Sequence, residues 1–579
     1  MTRGFAVLAI PSTAHKDRLE RGVERALSLG LTPCVVADRL VVLTSGDIKV
    51  NALGATGGAL IGDAFRRLTP IQTCDGHPCA SEEAACILGE GRASMDMWGD
   101  YVAIYFGGDG DLRFLHSPCG SLNLYYMPWD ECLLMASDAA LLLGISGSQR
   151  RLNWDMVAHA ILWDDVSCGQ TCIDGIGEIR SGECGRWRRG AVSVEAIWDP
   201  WRFTEAEVSI WESREAIELV RWEIHRCVAA RKTPGTHHAI DLSGGLDSSI
   251  VAAACAAAGI KATGINLFDS GTEGDERHFA RGVADHLKLA LREGMPKAGD
   301  IDLDRCARGH LPRPYARAFV QALDHSAFEI ASELGATTFL NGGGGDSVFC
   351  HLQSSAPVVD ALRSRGHAPG AARMAFEVAR SAQCNVWDVM MKSGKKLWRG
   401  SPADRMTANR EFVSEALEVK QGAPPLPPPR LRPLPGKVEQ MQGIYRSLSS
   451  INGFARSDHM KGIFPLLSQP LVEACLRIPS WLWLGEGRNR LIARLAMEGE
   501  LPPMAIWRIS KGGLGQLQRD IMCKKRNQIR AKLLDGQLAR QGFIDPDLIG
   551  RELENDGSYR IESLYRLMRL HDIETWCSA

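Results

Sequence analysis

HHAIDLSGGLDSSIVAAACAAAGI (237–260) holds a short apolar run, an abrupt Ser/Gly/Asp cluster and an Ala-rich stretch. The apolar run 237–242 reads as a strand, the cluster as a tight turn, and the residues from Ser248 to Ala258 as a helix. KATGINLF (261–268) predicts another strand, and ERHFARGVADHLKL (276–289) another helix. Alternation of strand and helix argues for a parallel sheet with crossover helices. A later strand, ATTFLN (336–341), runs into a second glycine cluster, GGGGDS (342–347).

A glycine-rich turn between a parallel strand and a helix aims several backbone N–H groups at one point, and the helix dipole favours an anion there. Gly244 and Gly245 let a ligand approach the main chain, while Ser243, Ser248 and Ser249 add hydroxyl donors for phosphate oxygens. No Lys-Ser/Thr pair follows, so this is not a Walker loop. Asp247 is the informative member: a carboxylate beside phosphate repels it unless a cation lies between them. That points to Mg²⁺, which takes one or two carboxylates and completes its shell from phosphate and water. Asp346 closes the second cluster, and two strand tips of one sheet face a shared crevice. Asp247 and Asp346 are therefore the candidate metal carboxylates. The bland alternative is a pair of structural turns capped by Asp and Ser, a reading that fits NGGGGD alone better than it fits SGGLDSS.

A length of 579 residues favours two domains. Net charge is −2, which excludes a bulk electrostatic case for nucleic acid. The apolar run near the amino terminus is too short for a signal peptide, and no segment approaches the length of a membrane helix. The 17 cysteines are scattered, and neither Cys74/Cys79 nor Cys168/Cys172 has zinc-finger spacing, so free thiols in the cytoplasm are expected.

Residues 1–200 look β-rich, with apolar segments at 33–45, 101–108 and 122–129 between turn signals. In 205–231, Ile217, Val220, Ile224 and Val228 recur at helical spacing. APPLPPPRLRPLP (423–435) reads as an extended connector, and 437–579 as largely helical. MKSGKKLWRG (391–400) is basic with an aromatic, which fits a solvated helix end as well as a peptide grip.

SGGLDSS matches the pyrophosphate loop of the asparagine synthetase superfamily, the AMP-forming ATP pyrophosphatases, and the chain resembles that superfamily along most of its length. The resemblance implies an α/β protein. Residues 1–203 would form a β-rich, Ntn-type αββα domain like a class II glutamine amidotransferase. Residues 204–579 would form a parallel-sheet ATP pyrophosphatase domain with a helical carboxyl-terminal part. WGDYVAIYFGGDGDLRFLHSPCGSLNLYY (98–126) and IGEIRSGECGRW (176–187) are similar to the amidotransferase part, and DHMKGIFPLLSQPLVEACLRIPSW (458–481) to the family's helical core. The family's nucleophilic Cys-Gly pair falls on Arg3-Gly4, which implies a degenerate domain without glutaminase activity.

By the same resemblance, IWRISKGG (506–513) places a pyrophosphate-binding Lys at Lys511, and Leu242, Ile265, Asn341 and Gly342 line the adenine and ribose pocket, largely through backbone groups. Relatives carry a side chain in the middle of the second glycine cluster where this chain has Gly343. Together with the missing Cys, this looks most like lasso peptide cyclases, which join a peptide's amino terminus to an Asp or Glu side chain. The implied chemistry uses ATP and Mg²⁺ to adenylate that carboxylate, and the peptide amine then displaces AMP. The implied partners are a precursor peptide and a leader peptidase. His351 is the nearest candidate base, set against a purely structural role. An ammonia-using asparagine synthetase or other small-molecule amide synthetase is the second reading, and an inactive binding scaffold the third.

Overall fold

The computed structural model describes residues 3–67, 78–164, 166–268, 271, 275–297, 299, 301–315, 317–364, 370–399, 406–415, 417, 432–509, 515–554 and 560–579. Two six-stranded antiparallel sheets form first. One runs, in spatial order, Gly177–Glu178, Tyr125–Trp129, Cys132–Ala136, Gly4–Ala9, Leu40–Ser45, Thr32–Ala37. The other runs Ala191–Ala196, Glu183–Arg188, Leu112–His116, Met97–Phe106, Gly58–Arg66, Val50–Leu53.

Strand alternation explains how they stack, since successive side chains leave opposite faces. Phe5, Val7 and Ala9 meet Val102, Ile104 and Phe114 in a dry layer between the sheets. Ala6, Leu8 and Ile10 face outward, where they pack with Leu19 and Ala26 of helix Lys16–Ser28 and with Leu142 of helix Ala139–Ser146. Behind the second sheet, Ala84 and Leu88 of helix Ser81–Gly89 cover Leu60, Tyr101 and Leu115. The result is the αββα layering expected from the resemblance. The apolar segment 33–45 folds as a hairpin, with Asp38 and Arg39 turning the chain between Thr32–Ala37 and Leu40–Ser45.

The second half is built on a five-stranded, all-parallel sheet in the spatial order Ala290–Gly294, Ala262–Leu267, His238–Asp241, Thr338–Leu340, Lys461–Ile463. The three strands predicted from sequence are present, and helices Leu246–Ala257 and Arg277–Leu287 follow the first two as expected. The described part of 437–579 is largely helical as expected, with one strand inside it: Lys461–Ile463, three residues that are too few to show periodicity, pairs with Thr338–Leu340. Pro435 likewise belongs to a helix. It opens Pro435–Ser450 as its first residue, where a missing N–H costs nothing. The rest of the predicted connector, up to residue 431, lies outside the described residues.

Among the described residues no helix is long and apolar enough to cross a membrane. The sixteen described cysteines are free thiols, and Cys74 lies outside the described set.

Glu473, on helix Gln469–Leu476, is 2% exposed and ties the two halves together. Its carboxylate accepts from Trp198 Nε1 at 2.9 Å, from Gln469 Nε2 at 2.8 Å, and from Arg67. Glu473→Ala strands an indole N–H and a guanidinium at a closed interface, so a loss of about 2–4 kcal/mol is expected. A thermal melt in which the variant unfolds at the parent's midpoint would contradict this.

Candidate functional site

Within the parallel sheet, the strands taken in chain order occupy the spatial order 3-2-1-4-5. The order reverses between His238–Asp241 and Thr338–Leu340, and a crevice opens at the carboxyl ends of strands at such a reversal. The two glycine clusters follow these two strands. Gly244 has φ +72°, and a Cβ there would lie 2.6 Å from Ala280 N, so both conformation and space require glycine. Gly342 presses the second loop onto the first: a Cβ there would sit 2.7 Å from Ser248 N and 2.8 Å from the Asp247 carbonyl carbon. The loops thus pack backbone on backbone, which brings Asp346 beside Asp247.

The two carboxylates converge on one atom. Arg490 Nη1 lies 3.2 Å from each carboxylate oxygen of Asp247 and also pairs with Asp346 Oδ1. Arg490 Nη1 thus occupies the point on which both carboxylates converge. The donors there are all oxygen, and among the described residues no group of three or more His, Cys, Asp or Glu could hold a metal ion. Two converging carboxylates without further protein ligands fit Mg²⁺, which takes its remaining ligands from phosphate and water.

A cleft of about 370 Å³ opens above the loops. Leu242, Ser243, Gly245, Asp247 and Ser248 reach it from the first loop, Ile265 from the neighbouring strand, and Asn341, Gly342 and Asp346 from the second loop. The structure therefore brings together most of the residues singled out from sequence. Gly244 lies beneath this surface and turns the chain.

Ser249 is a correction. It is fully buried, and both its N–H (3.1 Å) and its hydroxyl (2.8 Å) donate to the Gly245 carbonyl, so helix geometry turns it away from the cleft. Leu242 also departs from expectation. Its N–H donates to Ile265 O at 2.9 Å and its carbonyl accepts from Asn266 Nδ2 at 2.8 Å, so it offers the cleft an apolar side chain. Asn341 acts as a bracket, donating to Asp241 at 2.5 Å and accepting from Gly343 N–H at 2.6 Å. Lys511 lies outside the described residues.

His351 is braced rather than free. Asn489 Nδ2 lies 3.1 Å from its Nε2, and its Nδ1 lies 3.4 Å from Asp346 Oδ1. An amide N–H can only donate, so Nε2 accepts and Nδ1 carries the proton toward Asp346. His351 thus stands beside Asp346 with one ring nitrogen held by Asn489.

Sequence reasoning missed the arginines. Arg490, Arg456 and Arg508 all reach the cleft. Arg456 grips Asp241, and its Nε lies 3.5 Å from Asp324, whose carboxyl burial pushes up to about 6. Arg508 donates to Glu276 at 2.5 Å and lies 3.8 Å over the Phe279 ring. The run RNRLIAR (488–494), close before the Lys511 segment, was the available signal.

A glycine-rich loop at a helix start, two carboxylates bridged by Arg490, and the guanidiniums of Arg456 and Arg508 thus line one cleft at the sheet's switch point. Residues 219–578 match the model of the asparagine synthase family, and the chain belongs to that family, whose members are ATP-dependent enzymes that form carbon–nitrogen bonds. No curated protein matches the chain. Among solved structures, the allosteric regulatory enzyme of purine biosynthesis is similar at 12% identity over 59% of this chain and 83% of its own, with a TM-score of 0.19. Glutamine phosphoribosylpyrophosphate amidotransferase from B. subtilis, complexed with ADP and GMP, is similar at 11% identity over 58% and 90%, with a TM-score of 0.20. At those scores neither superposition informs the reading of the site.

Proposed function

We propose that this chain is an ATP- and Mg²⁺-dependent ligase that closes a macrolactam in a peptide, as lasso peptide cyclases do. The observation that carries the reading is the convergence of Asp247 and Asp346 on one point, held by the Arg490 guanidinium, beside the SGGLDSS loop.

In this reading, an Asp or Glu side chain of the peptide attacks the α-phosphorus of ATP and pyrophosphate departs. The N–H groups of the 243–248 turn hold the leaving oxygens, and Arg490 and Lys511 bring positive charge to them. Asp247 and Asp346 would hold Mg²⁺ in the place that Arg490 Nη1 takes in this structure, and the ion would neutralise phosphate charge when bound. The peptide's α-amine then attacks the acyl carbon, an amide forms, and AMP leaves.

Two features favour a peptide amine over the glutamine-fed chemistry of relatives. Arg3, at the nucleophile position, serves as a structural link: its N–H donates to Asp458 O at 2.9 Å, across the two halves. At Gly343 a Cβ would lie 2.9 Å from Asn341 Oδ1 and 3.3 Å from the Phe464 ring, so little room exists for a side chain that activates the nucleophile. An α-amine, with a pKa of roughly 7.7–8.0, is partly neutral at pH 7 without such help.

The test incubates the purified chain with ATP, Mg²⁺ and a precursor peptide bearing an amino-terminal Gly and an internal Asp or Glu. The expected product lacks one water by mass, with AMP released in equal amount. Release of ADP would overturn the adenylation. Asparagine formed from aspartate and ammonium, with the peptide left linear, would shift the assignment to a small-molecule synthetase. No nucleotide turnover with any acceptor would leave a binding scaffold.

A further inference from the structure

The helices Ala371–Ala382 and Val386–Arg399 form a hairpin that is apolar on two sides. Its inner side is ordinary core: Met374, Val378 and Val389 pack with Trp481. On the outer side, Trp387 is 71% exposed, Met391 55% and Trp398 86%, with Met390 and Leu397 beside them and Phe376 contributed by the first helix. Positions 387, 390, 391, 394 and 398 recur at helical spacing, and Gly394 leaves the middle of the stripe open, with no atom within 4 Å of where its Cβ would be. Elsewhere among the described residues, large exposed apolar side chains are scattered, whereas here they are contiguous along one helix. A patch of this kind on a folded protein marks an interaction surface, and exposed Trp and Met are the side chains that anchor and adapt to a docked segment.

Charge selects the occupant. Lys392 and Lys395 are exposed along one edge of the stripe with Asp388 between them, and neither lysine has an ion-pair partner among the described residues, while Lys396 is turned inward to Glu439. An apolar stripe whose edge carries two lysines against one carboxylate keeps a net positive charge, complementary to an amphipathic segment edged by carboxylates. Position favours a polypeptide over a lipid surface. Glu377 of the first helix accepts Gly487 N–H at 2.8 Å, and Gly487 lies three residues before Arg490, so the hairpin and the cleft share one bracket.

We propose that the outer face of the 371–399 hairpin docks an acidic amphipathic peptide segment and holds it beside the cleft. The peptide's relevance to turnover rests on the macrolactam reading above, whereas the docking itself is measured without it.

The probe is a fluorescently labelled 18-residue Leu/Glu amphipathic helix, titrated by anisotropy with the full chain against a Leu/Lys helix of the same pattern. The Leu/Glu helix is expected to bind and the Leu/Lys helix to remain free. The Trp387→Ser/Trp398→Ser double variant, altered only at exposed side chains, is expected to weaken binding about tenfold or more. Lys392→Glu/Lys395→Glu is expected to weaken it too and to admit the Leu/Lys helix. Binding of a fluorescent ATP analogue, measured alongside, should be the same in parent and variants, so a failed dock is distinguishable from a failed nucleotide site. Absence of peptide binding, or binding indifferent to these substitutions, overturns the proposal. So does flotation with phosphatidylglycerol vesicles, or dimerisation, that the Trp double variant abolishes while peptide binding persists.

Discussion

Asp247→Ala is expected to lower ATP-dependent AMP release by about a thousandfold or more, the scale on which a charge-stabilising group at a phosphoryl centre acts. Geometry argues for a chemical loss with little damage to the fold. Asp247 sits in the first turn of helix Leu246–Ala257, and its carboxylate leaves the helix to meet Arg490. After substitution, Arg490 keeps Asp346 as its partner, so no guanidinium is stranded. Asp247→Asn separates charge from shape, since an amide of equal size presents no anion to a divalent cation. Both variants should melt within a few degrees of the parent and be equally inactive in a pyrophosphate-release assay. Turnover within tenfold of the parent in either variant would remove Asp247 from the metal position.

The second large effect is expected from a single methyl group. Gly342→Ala places a Cβ 2.7 Å from Ser248 N and 2.8 Å from the Asp247 carbonyl carbon, and both are backbone atoms with nowhere to retreat. The loops must separate, and overpacking of this kind costs about 1–3 kcal/mol. The functional cost is larger, because moving reactive groups by about an ångström can lower a rate about a hundredfold. AMP release should therefore fall about a hundredfold with only a modest drop in melting temperature. Gly54→Ala, where no atom lies within 4 Å of the new Cβ, serves as the control and should leave both unchanged. Parent-like turnover in Gly342→Ala would show that the loops do not depend on their close approach.

The site was legible where its chemistry is local. SGGLDSS carries its own strand, turn and helix within a dozen residues, so hydrophobic pattern and turn chemistry agree about it. Ser249 escaped for a reason of helical phase. It lies four residues after Gly245, and its hydroxyl is satisfied by that carbonyl, which a composition-based reading counts as a free donor. Lys461–Ile463 escaped because strand identity in three residues comes from the neighbour it pairs with.

The rule that parallel strand tips share a crevice places Asp247 and Asp346 at one cleft, and the structure has both there. Their common contact was not legible. Arg490 stands 243 residues from one and 144 from the other, and no periodicity spans such distances.

From sequence alone came the parallel-sheet class and the glycine turn between strand and helix that carries Asp247, because each follows from short-range backbone geometry and hydrophobic pattern. Tertiary structure alone decided that the sheet order reverses between the two glycine loops, that Arg490 lies between the two carboxylates, and that the 371–399 hairpin turns an apolar stripe to solvent. These depend on which strands and helices become neighbours, a matter of packing the whole chain into one core.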